Sequence, residues 1–293
     1  MRISRTTFIA ATALTLAACS ESTSPVAPVS LDEVRLTIAP GSNTEVVIQN
    51  DISVQPFSTA PLKAWTLFTR DGGSGAMVAG PATPPGGTGS FRMSTPLVND
   101  KATLFNFEHI GTTVSSVEAI AYSTYRNAGS DPQVAALYIQ VDINGPAVSG
   151  GFTTLVFEPA YNIGQGAVVS GVWQRWDAFS GGAAKWWSTK PIGAICAFNC
   201  FVSWNDILAA APDATILGGV GINQGGGNAT LMTSVDNFTL SYAGNSVTYD
   251  FEQFRTPSSL QSCMNDGWTT VTTGTGEAFK NQGQCIQFFN TGK

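Results

Sequence analysis

Residues 171–190 read GVWQRWDAFSGGAAKWWSTK and hold Trp173, Trp176, Trp186 and Trp187, four of the chain's seven tryptophans. An indole offers a broad apolar face with one N–H at its edge, and the C–H face of a sugar ring stacks on such a surface. Arg175 and Asp177 lie among these rings and would supply hydrogen bonds to sugar hydroxyls. Successive residues of a strand point to opposite faces. Trp173 and Arg175 therefore share a face that Trp176 opposes, and the neighbours Trp186 and Trp187 oppose each other. About half of the rings belong to a core; the others lie on a wet face, at a rim or under another segment. The sequence predicts a glycan-binding set of Trp173, Arg175, Trp176, Asp177, Trp186 and Trp187. The competing reading is that residues 31–60 or the C-terminal tail cover the outward rings.

Catalytic chemistry has thinner support. Glycoside hydrolysis needs two carboxyl groups about 5–10 Å apart, and the nearest candidates are Glu158 and Asp142, on neighbouring predicted strands. Glu158 precedes Pro159 and also reads as a strand-end residue. A serine hydrolase would have to use His109, the single histidine, and no G-x-S-x-G accompanies it. That imidazole is expected to hydrogen-bond at a strand edge. Gly219-Val-Gly221 runs into Gly225-Gly-Gly and a strand, whereas a dinucleotide loop must open a helix. Calcium takes 6–8 oxygen ligands, and Asp142, Asp236 and Asp250 sit at strand positions able to supply some as a structural site. Cys196, Cys200, Cys263 and Cys285 suggest two disulfides, with three connectivities open and sequence proximity favouring Cys196–Cys200 and Cys263–Cys285. A zinc site is disfavoured, because the cysteine pairs lie far apart and His109 is near neither.

Short β-type runs must position these residues. They include Val34–Ile38, Glu45–Ile48, Ala64–Thr69, Ala102–Phe107, Val117–Tyr122, Leu137–Ile143, Thr153–Phe157, Ala214–Leu217, Phe238–Tyr242 and Val247–Phe251. Many alternate apolar with polar, as strands with one wet face do. Turn formers such as Asp71-Gly-Gly, Pro84-Pro-Gly-Gly and Asn144-Gly-Pro separate them. The pattern predicts an all-β fold, an antiparallel β-sandwich or jelly roll. One short crossover helix interrupts it: Ser203-Trp-Asn-Asp206 fits a capping box, and Pro212 ends the run. Residues 252–293 have few aliphatics and enclose the Cys263–Cys285 pair, which predicts a small disulfide-stapled appendage.

The formal charge is −6, with no basic stripe of the kind that neutralises phosphates, so nucleic acid is not an expected partner. At the N-terminus Arg2 and Arg5 precede the apolar run Phe8–Leu16 and then Leu16-Ala17-Ala18-Cys19. The run is too short to span a bilayer, and the segment resembles a bacterial lipoprotein signal with its lipobox. The resemblance implies cleavage before Cys19, acylation of that residue, and a membrane partner through the lipid. Losing Arg2 and Arg5 with residues 1–18 would take the charge from −6 to −8. Ser20, where a retention signal would place Asp, points to the outer membrane of a Gram-negative envelope. SESTSPVAPVS (20–30) reads as a tether.

Several stretches in order carry a further resemblance: GPATPPGGTGS (80–90), GTTVSSVEAIAYSTYR (111–126), LYIQVDING (137–145), GGFTTLVFEPAYN (150–162), GVGINQGGGN (219–228) and VDNFTL (235–240). Over residues 60–252 the chain resembles a family of exported bacterial proteins with a galactose-binding-like, carbohydrate-binding-module-like jelly roll. The tail, Cys263-Met-Asn-Asp-Gly-Trp268 … Phe279-Lys-Asn-Gln-Gly-Gln-Cys285, resembles a C-terminal motif of secreted bacterial proteins, C-x-N-G-G-W … F-K-N-Q-G-Q-C, with Asp266 replacing a glycine. Neither resemblance brings an activity. The expected organisation is a signal (1–18), lipidated cysteine and tether (19–30), β-sandwich (31–252) and Cys-pinned tail (253–293). The expected role is an envelope-anchored, non-catalytic glycan-binding module. The alternatives are a structural or adhesion protein that binds another envelope protein, or a glycoside hydrolase.

Overall fold

The computed structural model describes residues 41–57, 59–129 and 132–293. The signal, Cys19, the tether and the run 34–38 lie outside the described residues. Strands β1 (Ser42–Val47), β2 (Ile52–Pro56), β3 (Trp65–Arg70), β4 (Ser74–Ala79) and β5 (Gly89–Thr95) come first. Next are β6 (Lys101–Asn106), β7 (Val117–Ala128), β8 (Ala136–Asp142), β9 (Phe152–Phe157) and β10 (Trp173–Asp177). Then follow β11 (Lys185–Ser188), β12 (Val202–Ser203), helix α1 (Trp204–Ala210) and β13 (Thr215–Gly225). Strands β14 (Leu231–Tyr242) and β15 (Asn245–Phe251) complete the sheets, and α2 (Gln282–Thr291) lies in the tail.

Two sheets face each other, as the alternating strands predict. One has eight strands in the order β12-β11-β9-β8-β13-β6-β3-β2. The other has seven, built around β14. One side of β14 pairs β7, which in turn pairs β10; the other side pairs β5 over its first half and β15 over its second. All strand pairs are antiparallel except β1–β15 and β2–β3. Alternate residues of both sheets meet in one core. Leu67, Leu104, Leu137, Leu155 and Ile222 come from the eight-stranded sheet, and Phe91, Ile120, Tyr122, Val235 and Leu240 from the other. Burying each such side chain contributes about 1.5–3 kcal/mol.

Strand β14 bends where its two partners part, with a register break between Asp236 and Thr239 and a positive φ of 49° at Asn237. Carboxylates hold this fork together. Asp236 accepts N–H bonds from Gly86 at 2.7 Å and Phe251 at 3.1 Å, and Glu252 accepts them from Thr88 at 2.6 Å and Gly89 at 3.1 Å.

Helix α1 begins on the predicted capping box: Ser203 Oγ accepts from Asp206 N at 3.1 Å, and Asp206 accepts from Ser203 N at 2.9 Å. Both disulfides join the pairs favoured by proximity, Cys196–Cys200 and Cys263–Cys285. Beyond β15 the tail adds no strand. It packs Cys263, Val271, Phe279 and Cys285 into a small cluster of its own with Trp268, Ile286 and Phe288. Helix α2 was not evident from the tail's mixed composition; Asn281 caps it by accepting from Gln284 N at 2.9 Å. Strand β13 runs through Gly218, Gly219 and Gly221. At Gly219 a Cβ would fall 2.3 Å from Cγ of Phe105, so the bare backbone there is what lets that ring lie across the strand.

Candidate functional site

The structure divides the tryptophan-rich segment among three surfaces. Trp176 and Trp186 are fully buried in the core, which corrects their assignment as ligand-binding residues. The Trp176 indole donates to Thr124 Oγ1 at 2.7 Å, and that of Trp186 to Ala178 O at 2.8 Å. Trp186 also packs 5.2 Å from Trp204, so α1 covers this ring. Trp173, Arg175 and Asp177 point outward from the seven-stranded sheet. Trp173 is half-buried against Tyr125 and donates to Pro81 O at 2.9 Å. Arg175 has a buried Nη2 with no hydrogen-bond partner, and burial lowers its pKa against the opposing effect of Asp177. Asp177 is exposed, but one carboxylate oxygen accepts from Phe179 N and Ser180 N at 3.0 and 2.7 Å; it closes a turn. Trp187 alone points outward from the eight-stranded sheet. The predicted six-residue set is therefore not one site.

Trp187 begins a different constellation. Pairing registers place Trp187 (β11), Val156 (β9), Tyr138 (β8), Gly221 (β13) and Phe105 (β6) in one row across the outer face of the eight-stranded sheet. Its three rings recur every second strand, about 10 Å apart. Val156 is covered and Phe105 nearly so, whereas Trp187 and Tyr138 are half-buried. Trp187 is locked in place: its Nε1 donates to Glu158 Oε2 at 2.8 Å, and Phe198 packs 5.7 Å away. The Cys196–Cys200 disulfide brackets Phe198, which has a φ of 61°, a conformation that bulky residues rarely adopt. Lys101 stretches along the same face, with Nζ 5.2 Å from the Tyr138 ring centre and 5.0 Å from that of Phe57. Desolvation by burial lowers the Lys101 pKa, and Arg70 adds to the effect. Gln140 lies two residues from Tyr138, and its Oε1 accepts from Gly219 N at 2.9 Å. The alternation of Leu137-Tyr138-Ile139-Gln140-Val141 already marks Tyr138 and Gln140 as outward; their lateral alignment with Trp187 depends on strand pairing.

The carboxylates do not assemble as a hydrolase or a calcium shell would require. Asp142 pairs with Phe152, while Leu137 pairs with Phe157, so Glu158 lies at the opposite end of β8, level with Ala136. The two acids are separated by about six strand residues, roughly 20 Å, which excludes them as a glycosidase pair. Burial raises the Glu158 pKa, partly offset by the Trp187 bond. His109 is buried between two tyrosine hydroxyls, Tyr249 at 2.9 Å from Nε2 and Tyr242 at 3.3 Å from Nδ1. Burial lowers its pKa against the pull of Glu108. Among the described residues no serine hydrogen-bonds it; it lies in the turn after β6 as a buried hydrogen-bonding group rather than at a strand edge.

The three calcium candidates likewise separate. Asp142 ends a strand of the eight-stranded sheet and accepts from Asn144 N at 2.9 Å, whereas Asp236 and Asp250 face each other at the fork of the other sheet. Both Asp236 oxygens accept backbone N–H groups, and Asp250 Oδ1 is buried and unpartnered. Among the described residues no group of three or more His, Cys, Asp or Glu side chains could hold a metal ion. The proposed set does not fit calcium. Burial and Asp250 raise the Asp236 pKa to about 8, against the lowering by Gly86 and Phe251 N–H groups. Burial and Glu252 raise that of Asp250 to about 6.

No family model matches the chain, and no curated protein matches it; the family resemblance of residues 60–252 and of the tail rests on their motifs alone. Among solved structures, the chain is similar to a family 11 carbohydrate-binding module from Clostridium thermocellum in complex with a β-1,3-1,4-mixed-linked tetrasaccharide. The identity is 13%, with 64% of this chain and 94% of that one covered and a TM-score of 0.36. A second structure of a family 11 module, from the cellulosomal cellulase Lic26A-Cel5E of the same organism, gives 12%, 64%, 91% and 0.36. SGBP-B from a complex xyloglucan utilization locus in Bacteroides uniformis gives 12%, 60%, 47% and 0.30.

Proposed function

We propose that the protein is an exported, lipid-anchored glycan-binding module whose ligand lies across the outer face of the eight-stranded sheet, over Trp187 and Tyr138. The observation that carries this reading is the in-register row: two half-buried rings, two strands apart, each edged by groups that hydrogen-bond. A sugar ring has a C–H face and a rim of hydroxyls, so it needs apolar plates bordered by donors and acceptors. Trp187 and Tyr138 are the plates; Glu158, Gln140 and the Lys101 ammonium stand at the border. The Glu158 bond fixes the Trp187 ring before ligand arrives, which limits the ordering cost of binding. A glycan array followed by calorimetry tests the site. Trp187→Ala and Tyr138→Ala should each weaken binding about tenfold or more, equivalent to ~1.4 kcal/mol. Undiminished binding in both folded variants would remove the row from consideration.

Export and anchoring belong to the same proposal and rest on the lipobox-like Leu16–Cys19. The mass of the mature N-terminal peptide from a Gram-negative envelope fraction tests them: acylated Cys19 is expected, and a chain retaining residues 1–18 or a free Cys19 thiol would refute them. A second reading, adhesion to another envelope protein, is favoured by exposed apolar side chains beside the row: Ile163, Tyr161 and Phe198 are 81%, 49% and 56% exposed. Crosslinking that captures one envelope protein, lost in Ile163→Asp and Phe198→Asp, together with an empty glycan array, would favour that reading.

A further inference from the structure

Two cations share the outer face of the eight-stranded sheet. Arg70 of β3 and Lys101 of β6 stand directly opposite each other in the antiparallel ladder, and like charges so placed destabilise a sheet. Arg70 has outlets: its Nε donates to Asn99 O at 3.0 Å and lies 3.9 Å from Asp71 Oδ2. Lys101 has none. Among the described residues no oxygen accepts from its ammonium and no carboxylate forms an ion pair with it. The charged group that acts on it is Arg70, which repels it. The Phe57 and Tyr138 rings, 5.0 and 5.2 Å away, attract the charge, but they offer no oxygen to its three N–H donors. Asn223 of β13 extends the patch. It pairs with Thr103 on one side and Ala136 on the other, between Lys101 and Tyr138 in the register. Asn223 is 4% exposed and its Oδ1 accepts from Thr103 Oγ1 at 2.7 Å, which leaves its Nδ2 without a partner among the described residues.

Donors without acceptors define what completes such a patch. A sugar hydroxyl brings a donor of its own and leaves the Lys101 charge uncompensated. An ionised carboxylate only accepts, and charge-assisted hydrogen bonds are roughly twice as strong as neutral ones. We propose that the sugar held over Tyr138 is a uronic acid, its carboxylate bound by the Lys101 ammonium and the Asn223 amide. The glycan as carrier rests on the reading of Trp187 and Tyr138 given above; the anionic class of the group at Lys101 does not. A uronic acid's carboxylate is joined directly to a ring carbon. It therefore stays at the edge of a ring stacked on Tyr138, where the ammonium stands. Its single charge matches the one uncompensated cation, because Arg70 is shared with Asp71. Glu158 adds direction. It follows β9, on the far side of Tyr138 from Lys101, and is bonded to Trp187 Nε1 at 2.8 Å. A carboxylate facing that side would meet a like charge, so the acid group turns toward β6.

Matched pairs isolate the charge. Oligosaccharides of galacturonate, of mannuronate and of glucuronate-substituted xylan are each compared with their methyl esters by calorimetry; the ester keeps the ring and loses the charge. At least one acid should bind the wild type on the order of tenfold more tightly than its ester. Lys101→Met keeps the apolar stem against Phe57 and Tyr138 and should bring that ratio to about one, and Lys101→Arg should restore part of it. Esters that bind the wild type as well as the acids do, or an acid preference unchanged in Lys101→Met, would overturn the carboxylate subsite. Tighter binding of a sulfated carrageenan oligosaccharide than of every uronate, with the same dependence on Lys101, would overturn the uronic acid in favour of a sulfate ester. A neutral glycan bound through Trp187 and Tyr138, with no acid preference in the panel, would keep the row and overturn the uronate. An acid preference lost in Lys101→Met, with binding undiminished in Trp187→Ala and Tyr138→Ala, would keep the carboxylate subsite and overturn the row.

Discussion

Trp176 and Trp187 lie eleven residues apart in one aromatic-rich segment, yet replacing each by alanine should damage a different property. Trp176 is fully buried and donates to Thr124 Oγ1 at 2.7 Å. Its loss removes a large core side chain, at about 3–5 kcal/mol, and leaves a buried hydroxyl without its donor, at about 1–3 kcal/mol. Partial collapse of the site makes the two costs less than additive, so roughly 4–6 kcal/mol is expected. At about 2–4 °C per kcal/mol for a chain of this size, the thermal midpoint should fall by roughly 10–20 °C. Trp187 is half-buried, and its indole bonds a carboxylate rather than a core hydroxyl. Its removal should cost only about 1–2 kcal/mol of stability but weaken glycan binding about tenfold. Denaturant and thermal unfolding measure the first property, and calorimetry with the array-selected oligosaccharide measures the second. A midpoint within 3 °C of wild type for Trp176→Ala would refute its core placement. Lost binding in a stably folded Trp176→Ala protein, with Trp187→Ala binding normally, would refute the assignment of the site to the eight-stranded sheet.

Stability should also fall as pH rises. The folded-state pKa values of Asp250 and Asp236, about 6 and about 8, lie above the usual carboxylate value. The folded protein thus holds these protons more tightly than the unfolded chain. The contribution is complete below about pH 4 and is lost as pH climbs through 6 and then 8. Asp236→Asn should flatten the midpoint–pH profile between 6 and 9, and a profile rising over that range would reverse the argument. Because Asp142 lies apart and Asp236 is saturated with N–H donors, millimolar calcium followed by chelator should leave the thermal midpoint unmoved. A calcium-dependent rise of several degrees would show that Asp250 recruits a cation. Removing the Cys263–Cys285 bridge with paired alanines should release the tail, at about 3 kcal/mol for a loop of this length. Limited proteolysis should then cut within residues 263–285 while the sandwich keeps its midpoint; an uncut tail would show that its small cluster suffices.

Local order was legible wherever a rule spans only a few residues. Strand alternation required Trp186 and Trp187 to oppose each other, and Trp173 to share a face with Arg175. The spacing of Ser203 and Asp206 carried the cap of α1, and the close spacing within each cysteine pair favoured both disulfides. Strand β13 was legible only as far as Leu217, because Gly218, Gly219 and Gly221, which serve close packing against Gln140, Phe105 and Leu104, interrupt the apolar run.

What alternation cannot say is which sheet a strand joins, because that depends on hydrogen bonds between segments distant in sequence. Strand β10 pairs with β7 and β11 with β9, so two outward tryptophans from one short segment end on opposite sides of the molecule. The same long-range pairing aligns Trp187 with Tyr138 and Phe105, from strands some 50 and 80 residues earlier. The sequence by itself determined the kind of fold, the alternation of its rings and the local staples. Tertiary structure decided which rings share a surface, because lateral register across a sheet is set by the burial of both faces together.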